Sequence, residues 1–272
     1  MMNTIKKLLV LLFYTLSALV NAQTSFDGLN TIIEKGEITV SFTPNNTPIF
    51  TEVDNLGNVT GIDMELAQEI AKNLGVKLNV RTTASDWNSV IDEVSQGKAD
   101  FGISYLSITM DRSKKVLFSN NYVNNRQVLI MNNLELAKQK NYGNRTLNDM
   151  VNNRKKGARL GVLGGSSYEG FAKNLFLNVN LKRYNNTSEI FEDLLANKIG
   201  ATLIDELELY AMYRKNPGGK VKLTDFTLKD QPDLISIAVN PKNHDLLTFI
   251  NNNLRFNQVK YNVRDEFEAR KR

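Results

Sequence analysis

Cysteine is absent from the 272 residues, and His244 is the only histidine. A chain without cysteine forms no disulfide bond and carries no lipid-bearing N-terminal cysteine. Zinc and other transition metals prefer thiolate and imidazole ligands, so a site of that kind is excluded in practice. We expect neither a metal centre nor another cofactor.

The sequence also lacks a strong excess of either charge. It holds 34 basic and 29 acidic residues, and removing residues 1–22, which contain two lysines and no acid, changes the net charge from +5 to +3. This mild charge is spread along the chain without a basic tract. Nucleic acid is therefore not indicated as a partner.

Long apolar runs are missing except near the N-terminus. Lys6 and Lys7 precede an apolar run at residues 8–20, and the small residue Ala22 follows. This order is typical of a secretory signal peptide, and the run is short for a bilayer span; a membrane anchor is the alternative. We predict a signal peptide at residues 1–22 and a periplasmic protein, because a chain without a lipid anchor stays with the cell only behind an outer membrane.

Strand and helix patterns alternate in the first half of the mature chain. Ile62, Leu66, Ile70 and Leu74 recur every four residues, which is typical of one buried face of a helix, and Gly75 predicts its end. The predicted order of strand, helix, strand, helix and strand covers residues 38–41, 63–74, 76–80, 87–94 and 100–104.

The same order returns in the second half, where Ser188 is predicted to cap the second helix. The other elements of this unit are predicted at residues 159–163, 167–177, 178–184 and 200–204. Each βαβαβ unit implies a parallel sheet with helices on both faces. We therefore predict an α/β protein with two βαβαβ lobes joined by a two-strand hinge.

The segments near residues 126–131 and 230–234 are the predicted crossings between the lobes. The C-terminal helices, near residues 244–256 and 263–270, are expected to return to the first lobe because short, unknotted connections are favoured. The predicted division is residues 23–125 plus 233–272 for lobe 1 and residues 126–232 for lobe 2.

Polar clusters follow the strands of both units. Sheets of this kind bind ligands at the carboxyl ends of their strands. Residues 43–47, 104–112 and 164–167 follow three strands, and Asp205 follows a fourth. Two lobes that face each other would bring all four clusters into one cleft.

These clusters contain the groups needed to bind a zwitterion. Arg112 lies in the first turn of a predicted helix, where its charge opposes the helix dipole; the position makes sense if the guanidinium binds an anion bidentately. Ser107 adds a hydroxyl, and Ser166 and Ser167 add N–H donors at a helix N-terminus. Asp205 supplies a carboxylate for the ammonium group.

Plainer interpretations stay open for the same residues. Arg112 could face solvent, and Asp205 could be an ordinary helix cap. Residues 164–167 could be a tight turn into a helix. Trp87 is more often a core residue than the wall of a ligand site.

Catalytic groups are not evident in this pattern. His244 lies far from the polar clusters, so no Ser-His-Asp triad is available. Paired carboxylates at a cleft are not evident either. Binding without chemistry is the leading class of function, and we expect no catalytic residue.

Four spaced motifs run in order along the chain: GIDMELAQEIAKNLGV at 61–76, QGKADFGISYLSITMDR at 96–112, LGVLGGSSYE at 160–169 and IDE at 204–206. They resemble the periplasmic solute-binding proteins of family 3, the polar amino-acid receptors of ABC importers. The resemblance implies a type II periplasmic-binding-protein fold, or Venus flytrap. It also implies an amino-acid ligand and delivery to an inner-membrane ABC permease; we expect a monomer.

The resemblance implies roles for single residues. Arg112 resembles the arginine that binds the α-carboxylate of the ligand, and Ser107 and Ser167 resemble its hydrogen-bonding partners. Asp205 resembles the acid that takes the α-ammonium group.

The pocket for the ligand's side chain departs from the family pattern. Ser104 and Tyr105 fall at positions that line it. Thr43 stands where receptors for basic amino acids carry an acid, and Asn46 stands where an aromatic residue commonly stacks on the ligand. We expect a neutral polar or moderately large ligand side chain.

Two other functions remain open on the same fold. An enzyme similar to cyclohexadienyl dehydratases would need a general acid in the cleft, for which Glu169 and Asp205 are the candidates. A sensory ligand-binding module is the other alternative, although no transmembrane or kinase segment supports it.

Overall fold

The computed structural model describes residues 28–138, 159–176 and 179–270. The predicted signal peptide lies outside these residues. They form two five-stranded sheets and a short hairpin of β2 (Glu52–Val53) and β3 (Val59–Thr60). No helix in the described ranges is both long enough and apolar enough to cross a membrane.

Lobe 1 is built on the first sheet, whose strands are β1 (Glu37–Ser41), β4 (Lys77–Arg81), β5 (Phe101–Gly102), β6 (Leu117–Phe118) and β12 (Ala238–Val239). β1 lies between β4 and β5 and is parallel to both, and β12 joins antiparallel between β5 and β6. Its helices are α1 (Gly28–Lys35), α2 (Ile62–Leu74), α3 (Trp87–Ser95), α4 (Met110–Ser113) and α10 (His244–Phe256).

The helix α2 shows how the apolar period sets the packing. Ile62, Leu66 and Ile70 are buried in the core of lobe 1, as predicted. Gly75 ends the helix with φ +72°, a left-handed conformation that glycine adopts without a steric penalty.

Lobe 2 is built on the second sheet, whose strands are β7 (Val123–Asn132), β8 (Arg159–Leu163), β9 (Asn180–Tyr184), β10 (Ala201–Asp205) and β11 (Leu223–Ile235). β8 lies between β9 and β10 and is parallel to both, which repeats the arrangement of lobe 1 and confirms the predicted α/β fold of two lobes. Its helices are α5 (Asn133–Ala137), α6 (Ser167–Leu175), α7 (Thr187–Leu195), α8 (Glu206–Lys215) and α9 (Gly219–Lys222).

One predicted cap is wrong. Asn186, and not Ser188, caps α7: its side-chain oxygen accepts from the N–H of Glu189 at 2.9 Å. Asparagine and serine are similarly good caps, so sequence preference does not choose between them.

The strands β7 and β11 form a long antiparallel ladder that joins the lobes. The pairing runs from Val123 opposite Ile235 to Asn132 opposite Leu223, and its register shifts between Leu228 and Pro232. Proline donates no ladder hydrogen bond, so the shift falls where the chain resists regular pairing. This register shift lies beside the predicted crossings between the lobes. The division of the chain into lobes at residues 125/126 and 232/233 stays a prediction.

The C-terminal helices take different places. α10 packs against α1 and α2 and buries Leu246 and Ile250 in lobe 1, in line with the prediction. The last helix, α11 (Val263–Ala269), contacts α8 and β7 instead, and its Phe267 ring lies 5.9 Å from that of Tyr210. Val263 and Phe267 of α11 also belong to the hydrophobic core of lobe 1, so α11 packs against both lobes, which differs from the predicted return of both helices to lobe 1.

A buried carboxyl group, that of Asp63 in the first turn of α2, ties three segments of lobe 1 together. It accepts hydrogen bonds from the Thr51 hydroxyl at 2.5 Å, the Tyr122 hydroxyl at 2.7 Å and the Tyr105 N–H at 2.8 Å. Burial raises its pKa to about 6 despite these donors. The bond to Tyr105 fixes a residue whose φ of +52° is strained for a non-glycine residue.

This raised pKa predicts how stability depends on pH. A carboxyl group whose pKa is higher in the folded state stabilises the fold at low pH, and this contribution is lost as the pH rises through about 6. The free energy of unfolding of wild type, minus that of Asp63→Asn, is expected to fall by about 2 kcal/mol between pH 4 and pH 7. Urea unfolding at one-unit steps measures this difference.

The exposed Asp245, in the first turn of α10, provides the control. Asp245→Asn removes the same charge from the surface of the same lobe and should leave the pH profile of wild type unchanged. A difference between wild type and Asp63→Asn that stays constant with pH would contradict the assignment.

Candidate functional site

A cleft with about 500 Å³ of empty volume lies between the lobes, at the carboxyl ends of their strands. Its walls combine residues of lobe 1, of lobe 2 and of the connecting strand β11. They include seven of the eight side chains that the sequence predicted, namely Trp87, Tyr105, Ser107, Arg112, Ser166, Ser167 and Asp205. The structure therefore brings these residues together; their contact with a ligand stays a prediction.

Ser104 is the eighth predicted residue, and the structure does not place it on the cleft wall. It is fully buried, and its hydroxyl accepts from the N–H of Thr43 at 3.0 Å. Its carbonyl oxygen accepts from the indole N–H of Trp87, also at 3.0 Å. Ser104 thus holds the first loop and Trp87 in place behind the wall, which corrects its predicted place in the side-chain pocket.

Arg112 is buried, with only 5% of its surface exposed, so it does not face solvent. Thr109 caps the short helix α4 by accepting from the Arg112 N–H at 3.2 Å. The guanidinium donates from Nε and Nη2 to Asn88 Oδ1, at 3.2 and 3.1 Å, and from Nη1 to the carbonyl oxygen of Ser107 at 3.1 Å. Both acceptors, Asn88 Oδ1 and the Ser107 carbonyl oxygen, are neutral.

Two donors of Arg112 remain after these bonds. A guanidinium carries one N–H on Nε and two on each terminal nitrogen, so one N–H of Nη1 and one of Nη2 have no partner among the described residues. Burial lowers the pKa of Arg112 to about 10, which keeps it charged at neutral pH. The pair of donors fits the two oxygens of a carboxylate.

Serine hydroxyls join the lobes beside Arg112. Ser107 Oγ in lobe 1 and Ser167 Oγ in lobe 2 lie 2.8 Å apart. Ser166 accepts from the N–H of Tyr168 as the cap of α6 and donates to the carbonyl oxygen of Leu163 at 2.7 Å. The capping interpretation of this turn is therefore correct, and its serines still line the cleft.

A second close approach between the lobes occurs at Gly165, where φ is +72°. A Cβ atom at this position would lie 2.6 Å from a carboxylate oxygen of Asp86. Asp86 caps α3 by accepting from the N–H of Ser89 at 2.8 Å, so it cannot simply swing away. Glycine is thus required both by the backbone conformation and by the proximity of the opposite lobe.

Asp205 ends β10 and caps α8, since its Oδ1 accepts from the N–H of Glu208 at 2.8 Å. Burial raises the pKa of Asp205 well above its usual range, and the neighbouring charge of Glu208 raises it further. Asp205 is therefore a helix cap through its Oδ1 atom, and the same side chain also lines the cleft.

Sequence reasoning missed two further acids. Asp233 in β11 is buried and accepts from the Tyr168 hydroxyl at 2.7 Å, and burial raises its pKa. Glu208 lines the cleft from α8, where desolvation raises its pKa to about 7. Its spacing of three residues from Asp205 on one helix was an available signal, whereas Asp233 lay within a segment interpreted only as a crossing.

Two aromatic residues shape the lobe 1 wall. The Tyr105 ring lies 4.5 Å from that of Phe50, and its hydroxyl is buried without a hydrogen-bond partner in the described part of the chain. Trp87 is 8% exposed, packs in a hydrophobic cluster of lobe 1 and lines the cleft. Trp87 is therefore both a core residue and part of the cleft wall.

The structure also shows where His244 lies and whether the described residues could hold a metal ion. His244 is exposed at the first turn of α10 and does not line the cleft. Within residues 28–138, 159–176 and 179–270, no group of three or more histidine, cysteine, aspartate or glutamate side chains is arranged to hold a metal ion.

Comparisons with known proteins show similarity over most of the chain. The chain is 27% identical over 224 residues to the L-cystine-binding protein TcyJ of Escherichia coli K12, which covers 82% of this chain and 78% of that protein. It is 28% identical over 210 residues to ABC transporter arginine-binding protein 1 of the same strain, covering 76% and 79% of the two chains. The arginine-bound ArgBP from T. maritima matches with a TM-score of 0.65 and 26% identity, over 84% of this chain and 99% of that one.

A family model matches residues 38–258, which span both lobes. The match begins at β1 and extends beyond α10, so it includes every element that lines the cleft. The chain belongs to the bacterial extracellular solute-binding proteins, family 3.

Proposed function

We propose that this chain binds the zwitterion of an amino acid between its lobes and delivers it to an ABC importer. The observation that carries the proposal is the pair of unpartnered N–H groups on the buried Arg112, with the carboxyl group of Asp205 on the facing lobe. Arg112 binds the α-carboxylate, Ser107 and Ser167 support it, and Asp205 accepts from the α-ammonium group. Relatives named for binding cystine and arginine support this ligand class.

The site of action follows from the N-terminal sequence. Cleavage after Ala22 releases the chain into the periplasm, where it meets an inner-membrane permease as a monomer. Ligand binding between lobes joined by two strands implies closure about that hinge, so the closed, loaded form is the one the permease receives.

The first prediction concerns Arg112. Isothermal titration with each of the twenty amino acids, ornithine and cystine identifies the ligand. Arg112→Ala is expected to weaken binding of that ligand by about 100-fold, because a buried charge pair loses one partner. Arg112→Lys keeps the charge, loses the paired donors and should also bind weakly. Arg255→Ala, at the exposed end of α10, should bind like wild type.

Thermal unfolding without ligand shows whether each variant is folded. If Arg112→Ala is folded and binds as tightly as wild type, Arg112 is not part of the site. If none of the amino acids binds to wild type, the proposed ligand class is wrong.

The second prediction concerns closure. Gly165→Ala places a methyl group against Asp86 only when the lobes approach, so it should weaken binding of the same ligand by about tenfold. Small-angle X-ray scattering should show ligand-induced compaction of wild type and less compaction of the variant. Gly36→Ala is the matched control, because Gly36 has almost the same φ, +71°, and no atom within 4 Å of an added Cβ.

This control separates backbone strain from the contact between the lobes. A Gly165→Ala variant that compacts and binds like Gly36→Ala would show that the approach to Asp86 has no part in closure.

An enzyme on the same fold is the second candidate, favoured by the raised pKa values of Asp205 and Glu208, since a carboxyl group that is protonated near neutral pH is suited to general acid catalysis. Glu169 is no longer a candidate, because its ion pairs with Lys173 and Arg183 lower its pKa and it does not line the cleft. Incubation with prephenate decides the matter: phenylpyruvate formation that Glu208→Gln abolishes would favour the enzyme, and its absence favours binding alone.

A further inference from the structure

The charges that line the cleft do not balance for a ligand with one carboxylate and one ammonium group. Among the described lining residues Arg112 is the only basic side chain, whereas Asp205, Glu208 and Asp233 are acidic. Pairing the ligand's α-carboxylate with Arg112 and its α-ammonium with Asp205 leaves two carboxyl groups without a countercharge. Burial raises the pKa of both carboxyl groups because an unpaired charge away from water is costly, and a ligand that brings a further positive charge would offset this cost.

Glu208 is the acid best placed to receive that charge. Asp233 belongs to the carboxylate end of the cleft, because it accepts from Tyr168 and the charge of Arg112 counteracts the rise of its pKa. Glu208 shows no comparable influence from Arg112. The nearby Thr187 side chain and the charge of Lys215, at the far end of α8, counteract the rise of its pKa, and Lys215 forms no ion pair with it among the described residues.

The position of Glu208 points the same way. The cleft opens into a wider groove between the lobes, and Trp87, Leu163, Thr187 and Glu208 line both. A ligand side chain that extends from the Arg112–Asp205 end toward the groove therefore passes the Glu208 carboxyl group.

An independent feature, the Tyr105 hydroxyl, also indicates a polar ligand group at this place. Tyr105 is 6% exposed, lines the cleft, and its hydroxyl has no hydrogen-bond partner in the described ranges. Burial raises its pKa, and the charges of Asp205, Asp233, Asp63 and Glu208 raise it further, so the hydroxyl lies near several acids. A phenol oxygen there can accept from a cationic nitrogen.

The sequence favoured a neutral ligand side chain because Thr43 replaces an acid. Thr43 lines neither the cleft nor the groove, and its hydroxyl accepts from the Asn45 N–H at 3.2 Å. The absence of an acid at Thr43 therefore does not decide the charge of the ligand, since Glu208 supplies one from the opposite lobe.

We propose that the ligand carries a second cationic nitrogen and that Glu208 selects it. The inference rests on the proposed function, in which Arg112 and Asp205 hold the α-carboxylate and the α-ammonium group. A guanidinium, a side-chain ammonium and the second ammonium of a diamino acid such as cystine share this chemistry.

Paired titrations test the proposal at pH 7.5. L-arginine is compared with L-citrulline, which has the same skeleton and a neutral end group; L-lysine is compared with L-norleucine, and L-cystine with S-methyl-L-cysteine. At least one cationic member should bind wild type about tenfold or more tightly than its neutral partner, and the pair that does so identifies the source of the cation. Glu208→Gln should bring that ratio close to one.

Glu206→Gln is the matched control. Glu206 lies in the same turn of α8, outside the cleft lining, where it accepts from the Tyr210 hydroxyl at 2.8 Å. The variant removes the same charge from the same helix and should keep the wild-type ratio.

Equal binding of each cationic ligand and its neutral partner to wild type would overturn the proposal, whether or not Glu208→Gln folds. An unchanged ratio in a folded Glu208→Gln would also overturn it. In both cases, binding of a neutral amino acid that depends on Arg112 would leave the proposed function standing, whereas failure of all amino acids to bind would refute both.

Discussion

Charge held out of water without a partner is the constraint on which this structure depends. Arg112 is buried and bonds to neutral oxygens, while the acids Asp205, Glu208 and Asp233 share its cleft and enter none of the ion pairs found among the described residues. Direct pairing of Arg112 with an acid would offset part of the cost of desolvation. The fold prevents this by placing the groups on different strands and helices, so a ligand that bears both signs of charge supplies the missing partners.

The scaffold that keeps these groups apart is itself polar. Asp63 accepts from three donors at once and holds Tyr105 in a left-handed conformation at the cleft wall. Ser104, directly before it, fixes the first loop and the indole of Trp87. Groups that do not touch the ligand site therefore determine where its walls stand, which is typical of sites that must be preorganised.

Apolar periodicity predicted the fold well because it reports burial directly. The spacing of Ile62, Leu66 and Ile70 and the two βαβαβ orders reappear in the sheets, and Arg112 and Asp205 were found because each follows a strand end. The direction of Ser104 was not predictable, since the strand ends at Gly102 and Tyr105, directly after Ser104, takes a left-handed conformation. Asp233 reaches the cleft only through the pairing of β11 with β7, which joins residues more than a hundred positions apart and which no local sequence pattern predicts.

The hydroxyl pair of Ser107 and Ser167 affects the timing of capture as well as its strength. Because these atoms belong to the protein, part of the free energy of closing does not come from the ligand. Such a bond raises the population of closed molecules before any ligand arrives, and a closed cleft admits none, so the apparent affinity falls by the fraction that remains open. The same bond slows escape after loading. The bond between Ser107 and Ser167 therefore favours retention of a bound ligand over speed of entry.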